Sequence, residues 1–155
     1  MKKHTVASMG LGVRGKTHLK ALLENAERFE VVGICDIRPE VMDDVSEKFG
    51  LNAAKFTDVE EMLSVTKPEV FVFVTYPNLR LSMIELAVKY GIKAVSFEKP
   101  MAEDMAEAKK MTELCVENGI KAVVCHQQKY LKQMQELKRK VDRGDLGKVK
   151  KILAE

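Results

Sequence analysis

The sequence predicts an α/β protein whose parallel sheet is doubly wound, with helices on both faces in three layers. Short runs rich in β-branched and aromatic residues alternate with segments of helical periodicity along the 155 residues. One such run, residues 70–74, is continuously apolar, as expected of a parallel strand buried on both faces. A glycine-rich segment, residues 10–15, separates the first run from the first helix. This alternation predicts six strands joined by helices.

The first half of the chain contains three predicted strands and three helices. A strand at residues 4–9 is followed by a helix on which Leu19, Leu22 and Leu23 share one face. The further boundaries are, in order, a strand at 30–36, a helix that Pro39 begins and Gly50 ends, a strand at 53–56, and a helix through Val65 that starts with a capping box from Thr57 to Glu60.

The second half repeats this alternation. The expected boundaries are Pro68 before the strand at 70–74, a helix from Pro77 and Asn78 to about Tyr90, Gly91 before a strand at 92–97, a helix capped reciprocally by Asp104 and Glu107 and extending to Glu117, and Gly119 before a strand at 120–125.

The composition is that of a soluble globular domain, 46% hydrophobic, with a net charge of +3 and no block of like charges. We find no nucleic-acid-binding pattern and no apolar run of transmembrane length, so neither nucleic acid nor a membrane is expected as a partner. Cys35, Cys115 and Cys125 lie far apart in apolar runs. They are expected to be buried free thiols of a cytoplasmic protein, and no metal site is expected.

The glycine-rich segment has the spacing of a site for a dinucleotide pyrophosphate. Gly10 would allow the sharp turn off the strand, Gly12 would let the backbone approach the ligand without a Cβ, and Gly15 would let helix and strand pack closely. The N–H groups of Val13, Arg14 and Gly15 would then face the anion at the positive end of the helix. Since a strand and a helix flank the segment, a Rossmann dinucleotide-binding domain is the expected fold.

Asp36 ends the second strand and is the candidate partner of the adenosine ribose. Its carboxylate can accept hydrogen bonds from both ribose hydroxyls and repels a 2′-phosphate, so NAD is favoured over NADP. Arg38 keeps NADP possible, since a guanidinium there could stack on adenine or bind the extra phosphate. Alternatively, Asp36 is a turn or cap residue before Pro39, and it could fill both roles.

Two more groups of residues directly follow predicted strands. Thr75, Pro77 and Asn78 follow the fourth strand, and Glu98 and Lys99 follow the fifth. Because ligands bind across the carboxyl ends of such strands, we expect both groups to share one site with the glycine loop.

These motifs together resemble those of a known family. The glycine loop, Asp36, Thr75-Tyr-Pro-Asn78, Glu98-Lys-Pro100 and Gly144-Asp-Leu-Gly-Lys-Val149 are similar to segments of the glucose-fructose oxidoreductase, inositol dehydrogenase and MocA family. The resemblance implies an NAD(P)-dependent oxidoreductase that transfers hydride between a sugar, cyclitol or related polyol and nicotinamide. It implies that Lys99 is catalytic, beside the nicotinamide and the reacting hydroxyl, and that Glu98 lies near the nicotinamide ribose. A solvated loop lysine paired with Glu98 is the other interpretation of Lys99.

Departures from the family pattern concern the substrate more than the cofactor. Leu81 stands where a histidine is frequent, and Lys129 stands where an arginine is common. His4 and His18 are expected to be structural or solvated rather than catalytic.

The resemblance also implies a second, mainly β substrate domain, of which this chain would contain only the start. We expect a dinucleotide-binding domain at residues 1–126, and a linking helix with the start of a truncated domain at 127–155. The helix is expected to pack on the sheet or on the missing domain through Leu131, Met134, Leu137 and Val141, and a strand is expected to begin with Val149, Ile152 and Ala154.

The expected activity follows from this division. The piece is expected to bind NAD(H) but, lacking the second wall of the substrate pocket, to turn over little or no polyol, and the full-length protein is expected to be a homo-oligomer. Two alternatives stay open: a non-catalytic dinucleotide-binding module, and a partner subunit that has lost ligand binding.

Overall fold

The computed structural model describes residues 2–153, and its central feature is a parallel sheet of six strands in the spatial order β3-β2-β1-β4-β5-β6. The strands are β1 His4–Met9, β2 Phe29–Cys35, β3 Ala54–Phe56, β4 Val70–Phe73, β5 Ala94–Glu98 and β6 Lys121–Cys125. The helices are α1 Val13–Leu23, α2 Pro39–Phe49, α3 Val59–Thr66, α4 Arg80–Lys89, α5 Met105–Glu117 and α6 Lys132–Asp142, with 3₁₀ turns at Pro77–Leu79 and Gln127–Tyr130.

The strand order reverses between β1 and β4, which confirms the predicted doubly wound fold. Ile34 shares a core with residues of α1 and α2, whereas its neighbour Cys35 shares a core with residues of α3, α4 and α5. Because successive strand residues face opposite sides, the two cores cover opposite faces of the sheet. At the reversal, the N–H of Val74 donates to the carbonyl oxygen of Met9 at 2.9 Å. This reversal is where doubly wound sheets bind ligands.

The start of α3 differs from the sequence prediction by one residue. Asp58, not Thr57, is the N-cap, and its carboxylate accepts a hydrogen bond from the N–H of Glu61 at 2.7 Å. The predicted capping box at Thr57 is therefore wrong. A carboxylate at this position also carries the negative charge that the positive end of a helix favours, which a threonine hydroxyl lacks.

The starts of α4 and α5 also differ from the prediction in detail. Pro77 begins a 3₁₀ turn, and the α-helix itself starts at Arg80. Such tight turns are frequent at helix starts. Asp104 caps α5 as predicted, 2.9 Å from the N–H of Glu107, but the Glu107 carboxylate accepts from the N–H of Glu103, so the reciprocal bond is displaced by one residue.

The three thiols are free, and two of them are buried as predicted. Cys35 and Cys115 lie in the core, whereas Cys125 is partly exposed because it ends β6 at the edge of the sheet. Burial, together with the charges of Asp58 and Asp36, raises the pKa of the Cys35 thiol to about 12. Cys35 is therefore a neutral packing residue at physiological pH.

The chain divides into two compact units, with the boundary between Cys125 and His126. In the second unit, α6 has the predicted apolar side chains, and these are between 40% and 50% exposed: Leu131, Met134, Leu137 and Val141. Of the helices between residues 2 and 153, none is long and apolar enough to span a membrane.

The strand predicted near the end of the chain is absent from residues 148–153. Val149 and Ile152 lie in irregular backbone, and Ala154 falls outside the described residues. A strand is stable only beside hydrogen-bonded neighbours, and within residues 2–153 no strand pairs with this segment. The alternation of apolar residues alone was insufficient to specify it.

Candidate functional site

The glycine loop between β1 and α1 is closely packed at two of its three glycines. A Cβ at Gly10, where φ is +81°, would lie 2.2 Å from the carbonyl oxygen of Val74. A Cβ at Gly15 would lie 1.7 Å from the carbonyl oxygen of Gly10. Gly12 differs, because a Cβ there would meet nothing within 4 Å. Protein packing therefore requires Gly10 and Gly15, and the space at Gly12 is open to a ligand.

Helix α1 begins directly after Gly12 and offers unpaired backbone donors. No side chain caps the helix, and its first turn contains no acidic residue. Helical bonding starts with the N–H of Lys16, which donates to the carbonyl oxygen of Gly12 at 2.9 Å, so the N–H groups of Val13, Arg14 and Gly15 have no partner within the helix. Since these donors lie at the positive end of the helix dipole, the loop is suited to an anion.

Asp36 follows β2 and joins the end of that strand to the glycine loop. Its Oδ2 accepts a hydrogen bond from the N–H of Leu11 at 2.8 Å, and its Oδ1 accepts from the backbone N–H and the Nε of Arg38, each at 3.1 Å. The bond from the Arg38 N–H closes a turn before α2, so Asp36 does have the structural role that the sequence left open.

The environment of Asp36 keeps its carboxylate ionised although the residue is only 6% exposed. Burial by itself raises the pKa, but the hydrogen bond from the Arg38 side chain and the N–H groups of Leu11 and Arg38 outweigh it and hold the pKa of Asp36 below its ordinary value. Oδ2 also accepts a hydrogen bond from Nη2 of Arg38 at 3.5 Å, so each carboxylate oxygen has two donors. A ligand hydroxyl would therefore replace a bond from the Arg38 side chain, which is 53% exposed.

Glu98 and Lys99 stand at the carboxyl end of β5 in contrasting environments. Glu98 is 7% exposed, and its Oε1 lies 2.9 Å from Nε2 of His18 on α1. Lys99 is exposed. Because Glu98 is paired with His18 rather than with Lys99, the interpretation of Lys99 as the ionic partner of Glu98 is not supported.

The loop after β4 is held by Arg80, the first residue of α4. Nη2 of Arg80 donates to the carbonyl oxygen of Thr75 at 2.9 Å, and Arg80 itself is only 3% exposed. Pro77 is half-buried and Asn78 is exposed at the adjoining 3₁₀ turn.

The structure places all four predicted groups at one edge of the sheet. Direct contacts join Asp36 to the glycine loop at Leu11, and the loop packs on Val74. The order β2-β1-β4-β5 puts the residues after these strands side by side. Arg14, Asn78 and Lys99 lie exposed at this edge.

The sequence did not predict two contacts to this group, those of His18 and Arg80; His18 was expected only to be structural or solvated. The sequence indicates His18 only by its position one turn after Gly15, on the helix that starts at the loop. The signal for Arg80 is a charged residue between Leu79 and Leu81, on a segment that is otherwise rich in apolar residues. Neither signal indicates that His18 contacts Glu98 or that Arg80 contacts Thr75.

Comparison with known proteins identifies the family of this domain. Residues 4–126 match the family described as "Oxidoreductase family, NAD-binding Rossmann fold". The chain belongs to this family. Membership confirms the resemblance that the motifs indicated. It also confirms the Rossmann fold, and it confirms NAD as the cofactor that this kind of oxidoreductase domain binds.

The similar proteins include a dehydrogenase of a polyol and a dehydrogenase of a sugar. An inositol 2-dehydrogenase of Salmonella paratyphi B is 28% identical over 140 residues, covering 90% of this chain and 41% of that protein. A D-apiose dehydrogenase of Paraburkholderia graminis is 28% identical over 148 residues, covering 95% of this chain and 38% of that protein. The chain therefore spans less than half the length of these relatives.

Solved structures share the fold closely. The WlbA dehydrogenase from Bordetella pertussis, in complex with NADH and UDP-GlcNAcA, superimposes with a TM-score of 0.85 at 27% identity, covering 94% of this chain and 44% of that one. A scyllo-inositol dehydrogenase from Lactobacillus casei, with bound NAD(H) and scyllo-inositol, has a TM-score of 0.85 at 20% identity, with coverage of 94% and 43%. At that lower identity, the likeness shows the fold alone.

Proposed function

We propose that the chain is the cofactor-binding part of an NAD(P)-dependent dehydrogenase that acts on a CH–OH group of a sugar, cyclitol or related polyol. The observation that carries the proposal is the shared edge of β2, β1, β4 and β5, where Asp36, Gly12, Thr75 and Glu98 follow or end neighbouring strands. The activities of the inositol and D-apiose dehydrogenase relatives support this substrate class.

The residues that follow β2, β1, β4 and β5 suit successive parts of a dinucleotide, from the adenosine ribose to the nicotinamide. The open position at Gly12 and the N–H groups that follow it would hold the pyrophosphate, and Asp36 would hold the adenosine ribose. The nicotinamide half would lie against Thr75, Pro77, Asn78, Glu98 and Lys99. When bound, NAD supplies the hydride acceptor, and the protein supplies binding and orientation.

Lys99 is the proposed catalytic residue. Oxidation of an alcohol releases a proton as well as a hydride, and an amine beside the reacting hydroxyl can take up that proton or polarise the oxygen. Lys99 directly follows the buried Glu98 and is itself exposed, so its amine can reach a substrate at this edge.

The geometry of Asp36 favours NAD over NADP. Its carboxylate is buried and held from two sides by Leu11 and Arg38, so it cannot turn away to admit a 2′-phosphate without losing those bonds. The Arg38 guanidinium, the group that could otherwise meet the phosphate, is already bonded to Asp36. Repulsion between the two anions is therefore expected to discriminate against NADPH.

Calorimetric titration of the 155-residue chain with NADH and with NADPH tests this proposal. We expect preference for NADH, and we expect Asp36→Ala to weaken NADH binding at least about tenfold, because the ribose acceptor and the tie to the loop are both lost. Asp43→Ala is the control, since it removes an exposed carboxylate paired with Lys55. Absence of binding to either nucleotide would overturn the proposal, and tighter binding of NADPH would overturn the choice of cofactor.

A further inference from the structure

Arg80 is a buried charge to which the proposed function gives no role. It is 3% exposed, and one of its nitrogens, Nη2, is bonded to the Thr75 carbonyl oxygen. Within residues 2–153, Nε and Nη1 are buried and have no hydrogen-bond acceptor. Buried polar groups without partners are rare in proteins, and a charged one is costly to retain. A residue kept in this state calls for a functional explanation.

Arg80 and Glu98 are buried opposite charges at the ends of neighbouring strands: Arg80 bonds to Thr75 after β4, and β4 pairs with β5 at Phe73 and Phe97, directly before Glu98. Burial lowers the pKa of the Arg80 guanidinium, and the negative charge of Glu98 partly raises it again, so the two groups attract each other. Both are almost fully enclosed, where charges interact more strongly than at the surface. Arg80 therefore supplies a counter-charge to a carboxylate whose direct partner, among the described residues, is the His18 imidazole.

The contacts of Arg80 are confined to one half of the sheet edge. Thr75 follows β4 and Glu98 ends β5, whereas Gly12 and Asp36 follow β1 and β2. The strand order is β2-β1-β4-β5, so Arg80 lies with β4 and β5. This is the half of the edge that the proposed function assigns to the nicotinamide.

We propose that Arg80 is a positioning residue for the nicotinamide half of the site: it fixes the Thr75 backbone directly and the Glu98 carboxylate through charge. This inference rests on the proposed function. Arg38 is different, since it bonds its carboxylate directly and has a side chain that is 53% exposed. Arg80 acts from within the protein and sets affinity for one half of the cofactor without touching it.

The test compares NADH with ADP, which lacks the nicotinamide and its ribose, by calorimetry. We expect Arg80→Met to weaken NADH binding about tenfold and ADP binding by less than about twofold. Arg80→Lys is expected to recover part of the loss, because it keeps the charge but not the planar geometry. Arg28→Met removes an exposed arginine just before β2 and is expected to leave both affinities unchanged.

A double-mutant cycle with Glu98→Gln tests the charge link itself. In that background, Arg80→Met is expected to change NADH affinity less than it does alone, because the counter-charge is already gone. Additive losses would overturn the link to Glu98. If Arg80→Met does not unfold cooperatively, Arg80→Lys decides, and an unchanged ratio of NADH to ADP affinity in that variant overturns the proposal.

The outcomes separate this inference from the proposed function. If the wild-type chain binds neither NADH nor ADP, both proposals fail together. If the wild type binds both, and Arg80→Met weakens the two ligands equally or weakens neither, only the role of Arg80 is overturned.

Discussion

At the scale of single residues, Asp36 is expected to link stability to pH. Its pKa in the folded chain is lowered from its ordinary value, because the bonds from Arg38 and Leu11 outweigh the effect of burial. The folded state therefore favours the ionised carboxylate. The resulting stabilisation is present above the unfolded pKa of about 4, and it is lost as the pH falls through the lower folded value.

Asp36→Asn is expected to lose part of this pH dependence. The variant should be less stable than the wild type at neutral pH, and its stability should fall less between about pH 5 and pH 2. Urea unfolding at a series of pH values measures both effects. Asp43→Asn, at an exposed site, serves as the control. Parallel curves for the wild type and Asp36→Asn would show that Asp36 does not contribute in this way.

The sequence predicts where a residue lies in the fold when its position in the chain sets that place. Asp36 directly follows β2 and Glu98 ends β5, so their positions at one edge of the parallel sheet follow from the topology. His18 and Arg80 could not be found in this way, because their importance depends on which side chain they meet. His18 meets Glu98 across 80 positions of sequence, and helical periodicity does not encode that pairing.

At the scale of elements, two glycines of the glycine loop are expected to have different roles, Gly15 in packing and Gly12 in ligand binding. Gly15→Ala is expected to destabilise the fold by about 3 kcal/mol or more, because the new Cβ would overlap the backbone at Gly10. Gly12→Ala meets open space and is expected to cost only about 1 kcal/mol as a poorer cap. Its effect should be on NADH binding, weakened about tenfold or more. Thermal unfolding and calorimetry on both variants measure the contrast, and equal destabilisation would contradict it.

The start of α3 offers a second element-scale prediction. Asp58→Ala is expected to destabilise the chain by about 1 kcal/mol, because the N–H of Glu61 loses its acceptor. Thr57→Ala, one residue earlier, is the matched control and is expected to change stability by less than about 0.5 kcal/mol. Denaturant unfolding of the two variants compares them, and the reverse order would place the cap at Thr57 after all.

Elements also differ in how well local sequence specifies them. Helix boundaries marked by Pro39, Gly50 and Asp104 agree with the sequence prediction, because capping and backbone restrictions act within a few residues. The strand expected from Val149 and Ile152 is wrong, since strand formation depends on a neighbour that local alternation does not supply.

At the scale of the whole molecule, the first compact unit contains every buried hydrophobic residue found between residues 2 and 153, the last of them being Ile120. A chain shortened to residues 1–126 is therefore expected to unfold cooperatively and to bind NADH within about twofold of the 155-residue chain. Thermal unfolding and calorimetry check this expectation. Loss of cooperative unfolding on removal of residues 127–155 would show that the second unit is needed for the fold of the first.

The whole-molecule architecture was predictable because alternating strands and helices admit few arrangements. A right-handed crossover after each strand, with a glycine loop after the first, leads to a doubly wound sheet. The choice of substrate is not encoded in the same way, since the described edge of the sheet holds groups suited to a cofactor. The names of the relatives, rather than the fold, support a polyol or sugar.

The hydrogen bond from Leu11 to Asp36 has a consequence for any attempt to re-engineer cofactor preference. The side chain expected to reject NADPH is also the acceptor that anchors the glycine loop. A redesign that replaces Asp36 with alanine or glycine would reduce the discrimination against NADPH, but it would also remove the hydrogen bond that holds the glycine loop. Weak affinity for both nucleotides would follow. A successful exchange would have to retain a side-chain oxygen at position 36, as serine or asparagine does, and free Arg38 for the phosphate.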